Sequence, residues 1–223
     1  MKRATILFLI FILIGCTKEK KTSNEQSELQ NDFVQKDSSV SENTYAEKEP
    51  DRNAIVGERE FRYGNNGLIK IIEQYGDGYS AHDITIKTIG FLKNKTYKYE
   101  SAGYVDTVMI ADLNSDGEKE YYITIGNGGS GGMEELWVFA VINQELKNVD
   151  TREIDNVLSG KYFDASKIQG HDNYHIEGNY LVNTVPLYNE DDPNCCPTGG
   201  EISIYFGFKP AEDGGRLFFV RKD

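Results

Sequence analysis

A mainly β fold, a single antiparallel β-sandwich-like domain, is what this sequence predicts, on three observations. Glycine is abundant (22 residues) and proline scarce (5), while tyrosine (14) and phenylalanine (11) are frequent, a balance that suits strands joined by turns better than packed helices. Short apolar runs alternate with period two between clusters of Gly, Asn and Asp. No segment before Val108 carries an apolar stripe at helical spacing. The 223 residues, 39% of them hydrophobic, can fill one core behind appended segments, so two independent globular domains are not expected.

The chain divides into three parts. In residues 1–15, Lys2 and Arg3 precede an apolar run over residues 4–14 that is too short to span a membrane as a folded helix, and the segment ends Leu13-Ile14-Gly15-Cys16. This resembles a bacterial lipoprotein signal. The resemblance implies cleavage before Cys16, lipid on that cysteine, and an extracytoplasmic chain anchored in the bacterial cell envelope, with several acyl chains for stable anchoring. Residues 16–58 pass from Lys18, Lys20 and Lys21 into a Ser-, Asn-, Gln-, Glu- and Asp-rich run with almost no apolar pattern. Such a stretch cannot bury enough surface to offset its ordering entropy, which predicts a flexible tether.

The folded domain is expected over residues 59–223. Phe61-Arg62-Tyr63 and residues 67–75 read as strands, with turns at Asn65-Asn66-Gly67 and Gly76-Asp77-Gly78. Ile84, Ile86 and Ile89 continue the alternation, and residues 95–100 (KTYKYE) alternate again. Residues 108–141 hold two apolar strands around an acidic loop, then a glycine loop, then the strand LWVFAV. One helix is predicted over residues 152–158, capped by Thr151, with Ile154, Val157 and Leu158 on one face. Residues 174–176, 180–185, 201–208 and 217–220 are short strands separated by turn residues. Antiparallel sheets folded over one core account for this order.

The most specific chemistry lies in the acidic loop. Asp112, Asn114, Asp116, Gly117 and Glu120 stand at positions 1, 3, 5, 6 and 9, a spacing that wraps oxygen ligands around Ca²⁺, with the Glu118 carbonyl at position 7 as a further ligand. Gly117 permits the sharp turn that brings them together. Position 12 is Ile123 instead of the bidentate glutamate of an EF-hand, and the flanks are strand-like, so a weak structural site closed by Glu120 is expected. The alternative is an Asx-type turn, Asn114-Ser115-Asp116-Gly117, without metal.

Other groups carry less. His171 and His175 are four apart, about 13 Å in a strand, so hydrogen bonding in a loop by His171 and Asp172 is expected ahead of metal binding. Cys195 and Cys196 are adjacent. A vicinal disulfide, an intermolecular bridge and two buried thiols all remain open, with a structural role expected. Asp191-Asp192 before Pro193 reads as a solvated turn. No nucleophile–base signature, phosphate-cradling glycine loop or HExxH is present, so no enzyme is expected. The 24 basic residues lose Lys2 and Arg3 with the signal while all 36 acidic ones stay, moving the net charge from −12 to about −14. Such a surface repels nucleic acid and attracts basic proteins.

The run ADLNSDGEKEYYIT, the following GGSGG and LWVFAV, then GHDNYHIEGNYLVNTVPLY and DDPNCCPTGGEISIYF, resemble in order the periplasmic inhibitors of invertebrate-type lysozyme, over residues 102–220. The resemblance implies a β-sandwich and the binding of a lysozyme by a loop inserted into its active-site cleft. In that family the loop carries Ser-Gly-x-Tyr, which falls here on Ser130, Gly131, Gly132 and Met133. Methionine offers soft contact without the hydroxyl and rigid area of tyrosine. Two functions are therefore expected in competition: a lipid-anchored lysozyme-binding protein acting through the glycine loop, or a calcium-stabilised surface binding module that does not inhibit lysozyme.

Overall fold

A computed structural model describes residue 51 and residues 54–223, apart from Asp77, Ser130, Gly131, Met133 and Phe163 and the side chains of residues 78–80. The expected signal, the lipidated Cys16 and most of the tether lie outside the described residues. Among those described, no helix is long and apolar enough to cross a membrane.

The first seven strands form a continuous antiparallel meander: β1 (Ile55–Tyr63), β2 (Gly67–Gly76), β3 (Gly78–Ile89), β4 (Thr96–Ala111), β5 (Glu120–Gly126), β6 (Glu134–Ile142) and β7 (Glu145–Asn148). A second antiparallel sheet, in the order β11-β10-β9-β8, is built from β8 (Asn173–Glu177), β9 (Tyr180–Pro186), β10 (Glu201–Lys209) and β11 (Arg216–Lys222). The mainly β architecture read from alternation and turn residues is what the chain adopts. Three strands differ from expectation, the first being β4, a single strand where residues 95–100 and the run from Val108 read as two. Strand β1 begins at Ile55, ahead of the Arg59 start, because Ile55, Gly57 and Glu58 extend the ladder on Gln74, Glu73 and Ile72 of β2, pairing that needs no apolar alternation of its own. Strand β7 escaped the sequence reading because only four residues follow the Asn143-Gln144 turn, whose φ angles are +53° and +60°.

The expectation of one core is corrected to two. In β5 every residue is buried, and its alternation serves both sides. Tyr121, Ile123 and Ile125 face Ile69 and Ile71 of β2 and Ile84 and Ile86 of β3 in one cluster, with Phe139 and Val141 of β6. Tyr122 of β5 and Val138 and Ala140 of β6 face the second sheet, packing with Leu181, Val185, Ile204 and Phe206. The β5–β6 pair is thus a middle layer between β2–β3 and the β8–β11 sheet, and that is why its sequence reads as a continuous apolar run.

Layering of this kind requires the seven-stranded sheet to fold over, and the fold occurs within β4. Its first half pairs with β3 as far as Gly103 opposite His82, and its second half pairs with β5 from Tyr104 opposite Gly126. Gly103 sits at φ +106°, where an added Cβ would lie 2.4 Å from the Gly126 carbonyl oxygen, so only glycine fits this crossing. Where β4 leaves β3, the Val105 backbone loses its strand partner on that side. Side chains replace it: the Val105 N–H donates to Glu73 Oε2 (2.9 Å) and its carbonyl accepts from Arg59 Nη2 (2.9 Å). Glu73 is also ion-paired with Arg59 and lies 3.2 Å from His82 Nδ1.

The predicted helix is present as α1 (Arg152–Asn156), continued by a π turn over Val157–Lys161 that Gly160 ends at φ +101°. Ile154 and Val157 are buried against the second sheet as expected, with Leu158 packed beside them. Thr151 gives no side-chain cap; the Asp150 carboxylate accepts the Arg152 N–H instead (3.0 Å). Asp150 also ties the sheets, receiving the Leu217 N–H on its carbonyl and donating its own N–H to Gly215 (both 2.9 Å).

Replacing Glu73 by Ala strands the Val105 N–H and the Arg59 guanidinium, and urea unfolding is expected to show a loss of about 2–4 kcal/mol. The exposed Glu60→Ala should change stability by less than about 0.5 kcal/mol. Equal effects from the two substitutions would remove the corner from the account of the fold.

Candidate functional site

The acidic loop and the glycine loop leave opposite ends of β5, about 20 Å apart for a strand of its length. They are therefore two separate sites.

In the acidic loop, Asp112, Asp116 and Glu120 each bring one carboxylate oxygen within 4.8 Å of the others. Backbone amides hold them there. Asp112 Oδ1 accepts the Asp116 N–H (3.0 Å) and Oδ2 the Gly117 N–H (2.9 Å), while Asp116 Oδ1 accepts the Glu118 N–H (2.8 Å). These bonds require Ser115 at φ +59° and Gly117 at φ +92°. Asn114 is placed with the group, its Nδ2 donating to Asp116 Oδ2 (2.7 Å) and its Oδ1 accepting the Asp116 N–H (3.2 Å). The Glu118 side chain turns away towards Tyr63, whose hydroxyl is pushed up to about 12 by burial and then by that carboxylate. Only the Glu118 backbone therefore remains for the role expected of it.

Glu120 differs from the other two carboxylates. It is 1% exposed and shares the face of β5 that carries Tyr122 towards the second sheet. Its Oε2 accepts from the Leu113 N–H (2.8 Å) and the Tyr122 hydroxyl (3.5 Å). Burial first, then the Asp112 and Asp116 charges, raise its carboxyl to about 7 against the opposing pull of the Leu113 N–H and the Tyr122 hydroxyl. Three converging carboxylates repel one another when all are ionised, and either a proton on Glu120 or a divalent cation among them would relieve the repulsion. Oxygen atoms within 4.8 Å of one another suit a Ca²⁺ ion bound at about 2.3–2.6 Å. The backbone bonds equally satisfy the Asx-turn alternative, so both expectations meet in one loop.

The glycine loop is described only in part. Ser130, Gly131 and Met133 of the expected lysozyme-binding motif lie outside the described residues. Gly132 is described: it sits at φ +51°, its N–H donates to the Gly129 carbonyl (3.1 Å), and a Cβ there would lie 2.7 Å from His171 Nδ1. His171, at φ +59°, has Nε2 2.9 Å from the Asn194 carbonyl, which also accepts from the Tyr188 hydroxyl (2.8 Å). The glycine loop therefore packs against His171, and His171 against the loop that carries the cysteines.

That loop resolves two questions left open by the sequence. Cys195 and Cys196 form a vicinal disulfide. Asp191 is exposed in a turn, as expected, and Asp192 beside it organises the loop: it accepts the Asn189 and Thr198 N–H groups (both 2.7 Å) and the Thr198 hydroxyl (2.6 Å), which together hold its carboxyl below the usual range. His171 and His175 join no metal-ligating group among the described residues, and Asp172 accepts from Asn183 Nδ2 (3.3 Å) in the loop hydrogen bonding expected for it.

Beside the glycine loop lies a feature that sequence reasoning missed. A cleft of about 370 Å³ opens between the start of β6, α1 and the segment leading into β8, and Asn127, Glu134, Asp155, Asp172 and Tyr174 are among its walls. Its carboxylates are scattered through the sequence, so only their meeting in space could reveal them. No protein-family model, curated protein or solved structure matches this chain.

Because Glu120 holds a proton in the fold up to about pH 7 but only up to about 4.5 when unfolded, the folded state binds more protons between those values. Stability without divalent cations should therefore fall as pH rises through that window, by about 3 kcal/mol in all. Thermal and urea unfolding in chelator at pH 5 and pH 8 should show this fall, and Glu120→Gln should remove it. A wild-type profile identical to that of the variant would refute the assignment.

Proposed function

We propose that this chain is a non-enzymatic binding module of the bacterial cell envelope, held to the membrane by lipid on Cys16, stabilised by Ca²⁺ in the acidic loop and presenting the β5–β6 loop to a basic protein. The observation that carries the reading is the convergence of Asp112, Asp116 and Glu120 within 4.8 Å at one end of the fully buried β5. A cation there fixes the turn from which the middle layer begins. Asn114 and the Glu118 carbonyl complete its oxygen shell. With no bidentate glutamate at position 12, the affinity belongs to the range of extracellular sites, about 10⁻⁴–10⁻³ M.

Resemblance to the lysozyme inhibitors supplies the partner, a lysozyme, with Ser130, Gly131, Gly132 and Met133 as the contacting loop. Two features support it. The loop is mounted on the end of a strand buried on both faces, which gives it a stiff base. The chain's net charge of −12 favours rapid encounter with a basic enzyme.

Titration calorimetry of the purified chain with Ca²⁺ should show saturable heat, absent in Asp112→Ala and Asp116→Ala, and Ca²⁺ should raise the melting temperature of the wild type by linkage. A heatless titration with no thermal shift rejects the metal. The partner is tested separately, by inhibition assays against invertebrate-type and chicken-type lysozymes. Inhibition is expected to weaken in Ser130→Ala and to set in more slowly at high salt. No effect on either enzyme at micromolar protein leaves the calcium-stabilised module without lysozyme as its target.

A further inference from the structure

The cleft beside the glycine loop is both apolar and acidic. Leu136, Ile154, Leu158 and Ile168 give it apolar walls, and Glu134, Asp155 and Asp172 stand among them; no Lys or Arg of the described residues lines it. Its volume of about 370 Å³ is that of on the order of ten waters, room for one long side chain. These carboxylates do not close on a point: the one acidic group among the described residues compact enough for a metal ion is the Asp112, Asp116 and Glu120 set. Apolar walls with separated carboxylates match a group that is aliphatic along its stem and cationic at its tip.

Two further observations point the same way. No hydrogen bond or ion pair reaches the Glu134 carboxylate from the described residues; burial, followed by the nearby Asp106 and Asp172 charges, raises its proton affinity. Beneath the Asp172 and Tyr174 wall, the fully buried Asn183 pairs across the ladder with Tyr174 and donates from Nδ2 to Asp172 Oδ2 (3.3 Å). Its Oδ1 is the one buried side-chain polar atom among the described residues with no partner. Asp172 is held in place by the Asn183 amide, the Tyr174 hydroxyl and the Glu134 N–H, so the carboxylate of this wall that lacks a donor is Glu134, and an ammonium or guanidinium brings one where an anion does not.

We infer that this cleft is a receptor for a lysine or arginine side chain of the partner, seated between Glu134, Asp155 and Asp172 while the glycine loop makes its own contact. The inference rests on the reading of the β5–β6 loop as the partner-facing loop, since Asn127 and Glu134, at the two roots of that loop, both line the cleft. A guanidinium entering here would lay its stem on Ile154 and Ile168 and bring donors to carboxylates now held apart from any cation. Arginine suits it better than lysine, because its planar fork can reach two separated carboxylates at once.

The test uses the full-length chain in detergent and a small probe, so that it stands apart from the lysozyme assay. Amide NMR spectra are recorded during titration with N-acetyl-arginine amide and, in parallel, with its neutral isostere N-acetyl-citrulline amide. Saturable shifts of the Leu136, Gly170 and Asp172 amides are expected with the arginine probe at concentrations on the order of millimolar, with none from citrulline. Glu134→Gln and the exposed Asp155→Asn should each weaken the response, and together by about tenfold or more. Thermal melts confirm that both variants fold; Asp155→Asn, on the solvent side of α1, leaves the core untouched. Absence of saturation, equal response to citrulline, or an undiminished response in the double variant would overturn the inference. Probe binding alongside indifference to lysozyme would keep the cleft and discard lysozyme as the partner.

Discussion

Every layer of this protein depends on how β4 turns the corner. A strand that pairs with β3 along its first half and with β5 along its second must leave one edge of its backbone without a strand at the change of partner. Each buried backbone group left unpaired costs about 1–3 kcal/mol, a sizeable share of a fold's net stability. Glu73 and Arg59 supply the missing acceptor and donor at Val105, and His82 stands on the same Glu73 oxygen, Oε2, that takes the Val105 N–H, while Arg59 holds Oε1. The glycine crossing of Gly103 and Gly126 lets the two halves approach. Without this polar corner the meander would have no means of folding over, and β5–β6 would expose one apolar face.

Folding over is what makes β5 a central strand, and the chemistry of the acidic loop follows from it. Glu120 is the first residue of β5 and is drawn into the interlayer space by the same alternation that buries Tyr122. An exposed Asx turn would carry three ordinary carboxylates. Here one of them is desolvated beside two others, and its proton affinity rises. The other end of β5 leads to a loop whose Gly132 packs on His171, and His171 in turn meets the Asn194 carbonyl beside the disulfide.

Much of this was legible in the sequence, though unevenly. Alternation and turn residues located ten of the eleven strands, the short helix and the acidic loop, because those signals are local. Glu73 and His82 were legible in principle: each stands in period-two register with buried isoleucines, Ile69 and Ile71 on β2 and Ile84 and Ile86 on β3, and a charged residue in that register asks for a partner. The partner, a backbone group of Val105, could not be named from the chain. The Asp192 clasp and the acidic cleft were hidden for the same reason, since their members meet only through the packing of distant segments.

Taken alone, then, the sequence determined the mainly β class, the order of strands and turns, and the oxygen-rich spacing from Asp112 to Glu120, all of which depend on neighbours a few residues away. Tertiary structure alone decided that there are two apolar clusters instead of one, that β5 is buried on both faces, and that Glu120 is the carboxylate held between layers. A strand's alternation says that its two faces differ. Which face meets which layer is settled only when a corner, here the one at Val105, places the layers against each other.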